Sequence, residues 1–97
     1  MIIETAQIDI ASGQESDFEM ALDEAKNVLA KAKGFKGISV HRGVERPNVY
    51  LLTLKWDTVE DHTVGFRESD LFVQWRTLIG PFFANAPIVE HWELLNQ

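Results

Sequence analysis

The sequence contains no cysteine among its 97 residues, and this absence excludes several classes of site. Disulfides, zinc–thiolate sites, iron–sulfur clusters and thiol nucleophiles all require cysteine. Basic residues are also scarce, since nine Lys and Arg stand against fifteen Asp and Glu and give a net charge of −6. Because an acidic surface repels phosphate backbones and anionic lipid headgroups, we expect neither nucleic acid nor a membrane surface as a partner.

Long apolar runs are absent as well. No stretch approaches the roughly 20 apolar residues of a membrane-spanning helix. Residues 1–7 show neither the basic region nor the apolar run of a secretory signal. The composition, with 45% hydrophobic and 25% charged residues, is that of an ordinary globular chain. We therefore expect a single domain over residues 1–97, located in the cytoplasm.

Four segments of the chain have the character of β-strands. Residues 2–10 place β-branched and polar side chains on alternate positions, which indicates a strand with unequal faces. Residues 37–44 and 49–56 are separated by turn-forming residues, and this short link predicts an antiparallel hairpin. Residues 88–95 follow a chain-breaking Ala-Pro pair and indicate a final strand.

Apolar residues spaced three or four positions apart predict helices between these strands. The first follows the first strand and ends at Gly34, and the last ends or bends at Gly80-Pro81. A candidate capping residue precedes each helix. The first helix has Ser12 or Ser16, each in a Ser-x-x-Glu box, a short middle helix has Thr58, and the last helix has Ser69. The element order is therefore β-α-β-β-α-α-β.

This order predicts an α+β ferredoxin-like sandwich, in which helices cover one face of an antiparallel four-stranded sheet. The third and fourth strands nevertheless carry large apolar side chains at both parities, for example Leu51 beside Leu52 and Trp92 beside Val89. An apolar second face in so small a chain predicts a partner sheet, most simply a second copy. We expect a homodimer formed through the sheet faces.

Three blocks of sequence stand out, namely Trp56–His62, Phe66–Trp75 and Pro87–Trp92. Together they resemble the antibiotic biosynthesis monooxygenase (ABM) domain family, and the resemblance extends over essentially the whole chain. It implies a dimeric α+β barrel with a ligand cleft between the sheet and the helices of each protomer. Characterised relatives oxidise phenolic or quinol substrates with molecular oxygen and need no metal, flavin or haem.

A second branch of the same superfamily degrades haem, using an Asn on the first strand with a Trp and a His around the late helix. Here the first strand offers only Gln7, and the corresponding later positions hold Phe66 and Arg76. We therefore expect no haem and no other cofactor. The spacing of the three histidines also lacks any metal-binding motif, so we expect no metal site.

His62 is the candidate catalytic base. Quinol-oxidising relatives often carry a histidine in the helix after the Trp-ending strand, and His62 is the only histidine there, six residues beyond Trp56. An imidazole titrates near neutral pH and could accept a phenolic proton. The alternative is a histidine that bonds to Glu60, Asp61 or a backbone carbonyl and only packs the helix.

The remaining candidates would line the ligand cleft. A site that deprotonates a phenol needs aromatic walls and donors that stabilise the anion. Arg76 and Arg67 are candidate donors, because a guanidinium stays charged, and an ion pair with a nearby acid is the alternative for each. The other cleft candidates are Phe66, Phe72, Trp75, His41 and His91. The aromatic side chains are equally compatible with a core, and the two histidines with solvent-facing positions.

The resemblance thus favours a cofactor-independent monooxygenase that acts on a quinol or polyphenolic aromatic molecule with molecular oxygen. The alternative is a non-enzymatic dimer of the same fold that binds a small molecule. A third possibility is an assembly module whose own Phe and Trp side chains fill the cleft. Because one fold hosts many activities, the sequence leaves open whether the protein is an enzyme.

Overall fold

The computed structural model describes all 97 residues. Its regular elements are β1 (Ile2–Asp9), α1 (Glu15–Leu29), β2 (Phe35–Arg42), β3 (Val49–Trp56), a π-helical segment (Asp61–Phe66), α2 (Asp70–Ile79), a 3-10 turn (Gly80–Phe82) and β4 (Ile88–Glu93). The predicted order is confirmed, although β2 begins two residues earlier than predicted and β4 ends two residues earlier. None of the helices is both long enough and apolar enough to cross a membrane.

The four strands form one sheet in the order β2-β3-β1-β4, and every neighbouring pair is antiparallel. This topology confirms the ferredoxin-like α+β fold. The central strand β1 brings Glu4 opposite Leu54 of β3 and opposite His91 of β4. Directly paired residues point to the same face of a sheet, so these three side chains share the face that the helices cover.

The hydrophobic core lies between that face and the helices. The predicted apolar stripe of α1 is buried, and Phe18, Ala25 and Leu29 expose none of their surface. From the sheet, Leu52 and Trp56 are buried just as completely. Burial of this stripe is the main reason why the 15-residue α1 forms, because an isolated helix of that length is only marginally stable in water.

The start and end predicted for α1 are wrong. The helix begins at Glu15 after Gln14, and no side chain caps its first turn. The chain leaves β1 through a tight turn in which Gly13 has φ of 85°, and this turn places Ser12 outside the helix. Ser16 lies within the first helical turn. The helix ends at Leu29, before Gly34, which instead adopts φ of 80° at the entry to β2.

The later helices follow the sequence more closely. Thr58 caps the middle helix as predicted, since its Oγ1 accepts the backbone N–H of Asp61 at 3.1 Å. This helix is a π-helix rather than an α-helix, and the N–H of Arg67 donates to the carbonyl of His62, five residues back. Ser69 precedes α2, but its hydroxyl donates to the carbonyl of Phe66 and accepts no backbone N–H of the helix. Gly80-Pro81 ends α2 as predicted.

The opposite face of the sheet carries no helix. Leu51, Ile88 and Trp92 are exposed on it, in agreement with the predicted apolar second face. The indole N–H of Trp92 donates to Thr5 Oγ1 at 2.8 Å, so this ring lies along the sheet. We call this surface the open face.

Candidate active site

A cavity of about 400 Å³ lies between the sheet and the layer formed by the π-helical segment and α2. Its volume is within the range of small-molecule sites. Four aromatic side chains form much of its wall, namely Phe66, Phe72, Trp75 and Phe83. Four polar side chains also line it, namely Glu4, His62, Arg67 and Arg76. The helix layer therefore does not fill the cleft, in contrast to the expectation for a pure assembly module.

Glu4 is a buried carboxyl group in the middle of the sheet. It exposes only 6% of its surface, and its Oε1 accepts the indole N–H of Trp56 at 3.0 Å. Burial raises the pKa of Glu4, while the Trp56 hydrogen bond and the charge of Arg67 act in the opposite direction. Because burial is the largest of these effects, the pKa is raised, and the neutral acid persists to higher pH than in an exposed glutamate.

His62 lies beside this carboxyl group and exposes only 3% of its surface. Its Nε2 is 3.3 Å from Glu4 Oε1, and its Nδ1 forms a 2.7 Å hydrogen bond with His91 Nε2. The ring stacks on Trp56 with a centroid separation of 5.3 Å. Burial lowers the pKa of His62 to about 4, and the charge of Arg67, with that of His91 when His91 is protonated, acts in the same direction. The imidazole is therefore neutral at pH 7.

The π-helical segment is what positions His62. Its wide turn places His62 and Phe66, four residues apart, against the sheet, and both are buried. Such π-turns are rare and often occur at functional sites. Close approach of the segment to the start of β2 requires Gly34, because the Asp61 carboxylate occupies the space that a side chain at residue 34 would need.

Two arginines give the cavity a positive character in an acidic chain. Neither Arg67 nor Arg76 pairs with a carboxylate, although the chain forms ion pairs elsewhere. The Arg76 guanidinium instead lies 5.8 Å from the Phe72 ring centroid and 5.2 Å from that of Phe83. Ion pairing, the alternative considered for Arg76, is therefore not found. Both guanidinium groups remain available to an anion.

The structure brings together most of the residues predicted for the site. His62, Phe66, Phe72, Trp75 and Arg76 all line the cavity. Whether these residues bind a ligand stays a prediction.

The other two histidines have different positions. His91 does not line the cavity but contacts it through its hydrogen bond to His62. The structure does not bring His41 to the cavity. His41 pairs with Leu51 in the sheet, so it lies on the open face, where it is exposed and its ring contacts Thr53 Oγ1 at 3.4 Å.

Glu4 is the site residue that sequence reasoning missed. A signal for Glu4 was present, because this acid occupies a strand position of the same parity as Ile2, Ala6 and Ile8. A charged residue on the buried parity of a strand needs a buried partner. Arg67, considered beside Arg76 as an anion-stabilising group, also lines the cavity, and the path of the π-helical segment brings it there.

The polar cluster has the properties of a proton-transfer site. It combines a buried carboxyl group, a neutral imidazole and a second imidazole at its edge, and guanidinium groups stand near the same cavity. No group of three or more His, Asp or Glu side chains is arranged to hold a metal ion. The arrangement can accept a proton and can stabilise an anion that forms on an aromatic ligand.

Comparison with known proteins agrees with this geometry. The sequence profile of the family described as Antibiotic biosynthesis monooxygenase matches residues 1–78. The uncharacterized protein YczJ of Bacillus subtilis strain 168 is 37% identical over 93 residues, which cover 96% of this chain and 98% of that protein.

Solved structures show the same similarity. A protein of Bordetella bronchiseptica assigned to the antibiotic biosynthesis monooxygenases is 40% identical, with a TM-score of 0.93 and coverage of 95% of this chain and 94% of that one. SnoaB, a cofactor-independent oxygenase from Streptomyces nogalater, has a TM-score of 0.82 at 12% identity, with coverage of 99% and 94%, and shares the fold. The chain therefore belongs to the antibiotic biosynthesis monooxygenase family.

Proposed function

We propose that this protein is a cofactor-independent monooxygenase that oxidises a quinol or polyphenolic aromatic molecule with molecular oxygen. The observation that carries the proposal is the neutral, buried His62 at the polar end of an aromatic-walled cavity. Family membership supports it, and so does the description of two proteins of the same fold as a cofactor-independent oxygenase and as a monooxygenase in complex with Nanaomycin D.

The reaction needs no external reductant, because the substrate supplies the electrons. Oxygenation of a phenol at a ring C–H converts phenol and O₂ into a quinone and water. One oxygen atom enters the ring, and the other leaves as water with the phenolic hydrogen and the ring hydrogen. Removing the phenolic proton makes the ring electron-rich enough to react with O₂, so the protein must accept that proton and stabilise the anion.

Each part of this task has a group in the cavity. His62 is the proton acceptor, since it is unprotonated at neutral pH. Arg76 and Arg67 carry unpaired positive charges that favour the phenolate. The rings of Phe66, Phe72 and Trp75 provide an apolar wall for a flat aromatic ligand and limit the access of water.

The assembly proposed is a homodimer formed through the open face. Its exposed Leu51, Ile88 and Trp92 form an apolar surface next to short polar side chains, and a second copy of the same sheet could cover it. Light scattering on the purified protein tests this point, with about twice the 11.0 kDa chain mass expected. A charged side chain in place of Leu51 should dissociate the dimer, and light scattering should then give the mass of a single chain.

Oxygen uptake tests the catalytic proposal. Metal-free protein is supplied with a panel of hydroquinones and polycyclic phenols, beside His62→Ala, and autoxidation is subtracted. We expect uptake that falls by about 10²-fold or more in the variant, the range typical for loss of an acid–base group. With ¹⁸O₂, a monooxygenase places one labelled atom in the product, whereas an oxidase places none.

The possible results separate the alternatives. Uptake that is unchanged in His62→Ala, with the fold intact by circular dichroism, would remove His62 from its role as proton acceptor. Unlabelled product would contradict monooxygenation. Thermal stabilisation by the phenols without any uptake would favour the non-enzymatic binding dimer.

A further inference from the structure

We propose that Glu4, His62 and His91 form a proton relay that carries the phenolic proton from the cavity to solvent beside β4. The inference rests on the proposed function and deepens it, because it states how the proton reaches His62 and where it goes next. In this relay Glu4 is the residue that meets the ligand. His62 takes the proton from Glu4, and His91 releases it.

A continuous chain of polar atoms supports the relay. Glu4 Oε1 lies 3.3 Å from His62 Nε2, and His62 Nδ1 lies 2.7 Å from His91 Nε2. Glu4 lines the cavity, whereas His91 does not line it and is partly exposed. The three groups therefore span the distance from the ligand cavity to the protein surface.

The cavity end of the chain is the second carboxyl oxygen of Glu4. Oε1 accepts the indole N–H of Trp56 and contacts His62 Nε2, whereas Oε2 accepts no hydrogen bond from the protein. Every fully buried side-chain nitrogen or oxygen has a hydrogen-bond partner. Because Oε2 has no such partner, it is not fully buried, and it is accessible from the cavity that Glu4 lines. His62 has no such free atom, because one nitrogen contacts Glu4 and the other bonds to His91.

The three groups are suited to transfer as neutral species. Burial favours the protonated form of Glu4 and the unprotonated forms of His62 and His91. A neutral carboxylic acid and a neutral imidazole each offer one proton donor and one acceptor. The charged group that faces all three is Arg67, and its positive charge opposes the accumulation of a proton on any of them.

The transfer conserves protons at each step. The ligand hydroxyl gives its proton to Glu4 Oε2, and the proton on Oε1 passes to His62 Nε2. The proton on His62 Nδ1 passes to His91 Nε2, and His91 releases its Nδ1 proton to water. Glu4, His62 and His91 all end the transfer neutral, and the phenolate is the only charged species that it leaves in the cavity. Because the product water needs a proton back, the same chain runs in reverse later in the cycle and returns to its starting state.

The first test is independent of any enzymatic activity. The protein has three histidines, and ¹⁵N NMR of their rings can be assigned with His→Asn variants at each position. We expect a slowly exchanging ring proton shared by His62 and His91. We also expect Glu4→Gln to change the His62 tautomer and titration and to leave His41 unchanged as the internal reference. Independent titration of His62 and His91, unaffected by Glu4→Gln, would overturn the relay.

The second test measures oxygen uptake in His91→Ala and Glu4→Gln. We expect about 10-fold or greater losses and altered pH profiles, because neither alanine nor glutamine transfers a proton. Glu24→Gln on the exposed side of α1 is the matched control and should retain full uptake. Added imidazole should partly restore His91→Ala, and substituted imidazoles should restore it in proportion to their basicity.

The outcomes distinguish the relay from the function on which it rests. Full uptake in His91→Ala, or a loss that no imidazole restores and that leaves the pH profile unchanged, would overturn the relay and leave the monooxygenase in place. A coupled His62–His91 pair that responds to Glu4→Gln, in a protein without uptake on any phenol, would support the proton chain and contradict the oxygenase.

Discussion

The two halves of the helix layer cover the same sheet but differ in what they enclose. The half formed by α1 is regular over 15 residues and buries an unbroken apolar stripe. The half formed by the π-helical segment, α2 and the 3-10 turn is broken into three pieces, and it encloses the cavity with the two buried polar residues, Glu4 and His62. A regular helix fills the space above a sheet, whereas an interrupted one leaves room for a ligand.

The comparison also shows how polar groups are accommodated. Near α1, the polar contacts lie at the periphery, where Tyr50 donates to Glu19 at 2.5 Å. Near α2, the polar contacts lie inside, between Glu4, Trp56, His62 and His91. Buried polar groups usually lower stability unless they are fully bonded, so their presence in one half alone suggests that this half is the functional one.

The largest difference should appear when one aromatic ring is removed from each half. Phe18→Ala should lower the free energy of unfolding by about 3–5 kcal/mol, because Phe18 is fully buried in a packed region. Phe72→Ala should cost less than about 2 kcal/mol, because its ring already borders a cavity. Urea unfolding measures both. Equal losses would show that the two halves are packed alike.

The pH dependence of stability should come from the cavity half. The pKa of His62 is lowered from 6.5 to about 4, so between these two pH values the imidazole is protonated in the unfolded chain but not in the folded protein. Stability should fall by about 3 kcal/mol as the pH drops from 7 to 4. The raised pKa of Glu4 acts in the opposite sense, since it lowers stability as the pH rises above 4.5.

Urea unfolding at pH 7 and pH 4 checks this prediction. In His62→Gln, most of the decrease in unfolding free energy between pH 7 and pH 4 should disappear. His41→Gln, on the open face, is the matched control and should show the same decrease as the wild type. A fall of the same size in His62→Gln would assign the acid sensitivity to other groups.

The charge of the cavity should appear in ligand affinity. Arg76→Gln should weaken the binding of the coloured anion 4-nitrophenolate about 10-fold, which corresponds to about 1.4 kcal/mol, without changing stability. Arg46→Gln, in the turn between β2 and β3, has the same effect on net charge and should bind as the wild type does. Equal weakening in both variants would indicate a general charge effect instead of a contact in the cavity.

The smallest effect should come from the peripheral hydrogen bond of the α1 half. Tyr50→Phe should cost about 1 kcal/mol, because it removes one hydrogen bond and keeps the ring. Burial, reinforced by Glu19, raises the pKa of Tyr50 to about 12, and Tyr50 is the only tyrosine. Titration of its absorbance should therefore show a lower pKa in Glu19→Gln and little change in Glu24→Gln. An unchanged pKa in Glu19→Gln would contradict the contact.

Much of the fold could be predicted from residue patterns because those patterns act locally. The alternation in residues 2–10 and the stripe from Phe18 to Leu29 place apolar side chains on one face, and burial of that face determines the element. The boundaries were less predictable. Two capping boxes competed at the start of α1, and neither serine caps it, because the turn at Gly13 leaves Ser12 outside and the helix begins at Glu15, before Ser16.

The site was only partly predictable, because it joins residues that are distant in sequence. His62 was identified from its place after the Trp-ending strand, but its partners Glu4 and His91 come from β1 and β4. His41 was a comparable candidate by residue type, and only the strand register shows that it lies on the open face. The parity of Glu4 among apolar neighbours was the one local sign of a buried polar site.

The sequence by itself determined the class of fold, the apolar character of both sheet faces and the resemblance to a family, since each depends on the spacing of residue types along one segment. The tertiary structure alone decided which polar groups meet. The sheet order sets β1 between β3 and β4, and the π-turn directs His62 inwards, so Glu4, Trp56, His62 and His91 come within bonding distance. Distances between segments follow from packing, and packing is a property of the whole chain.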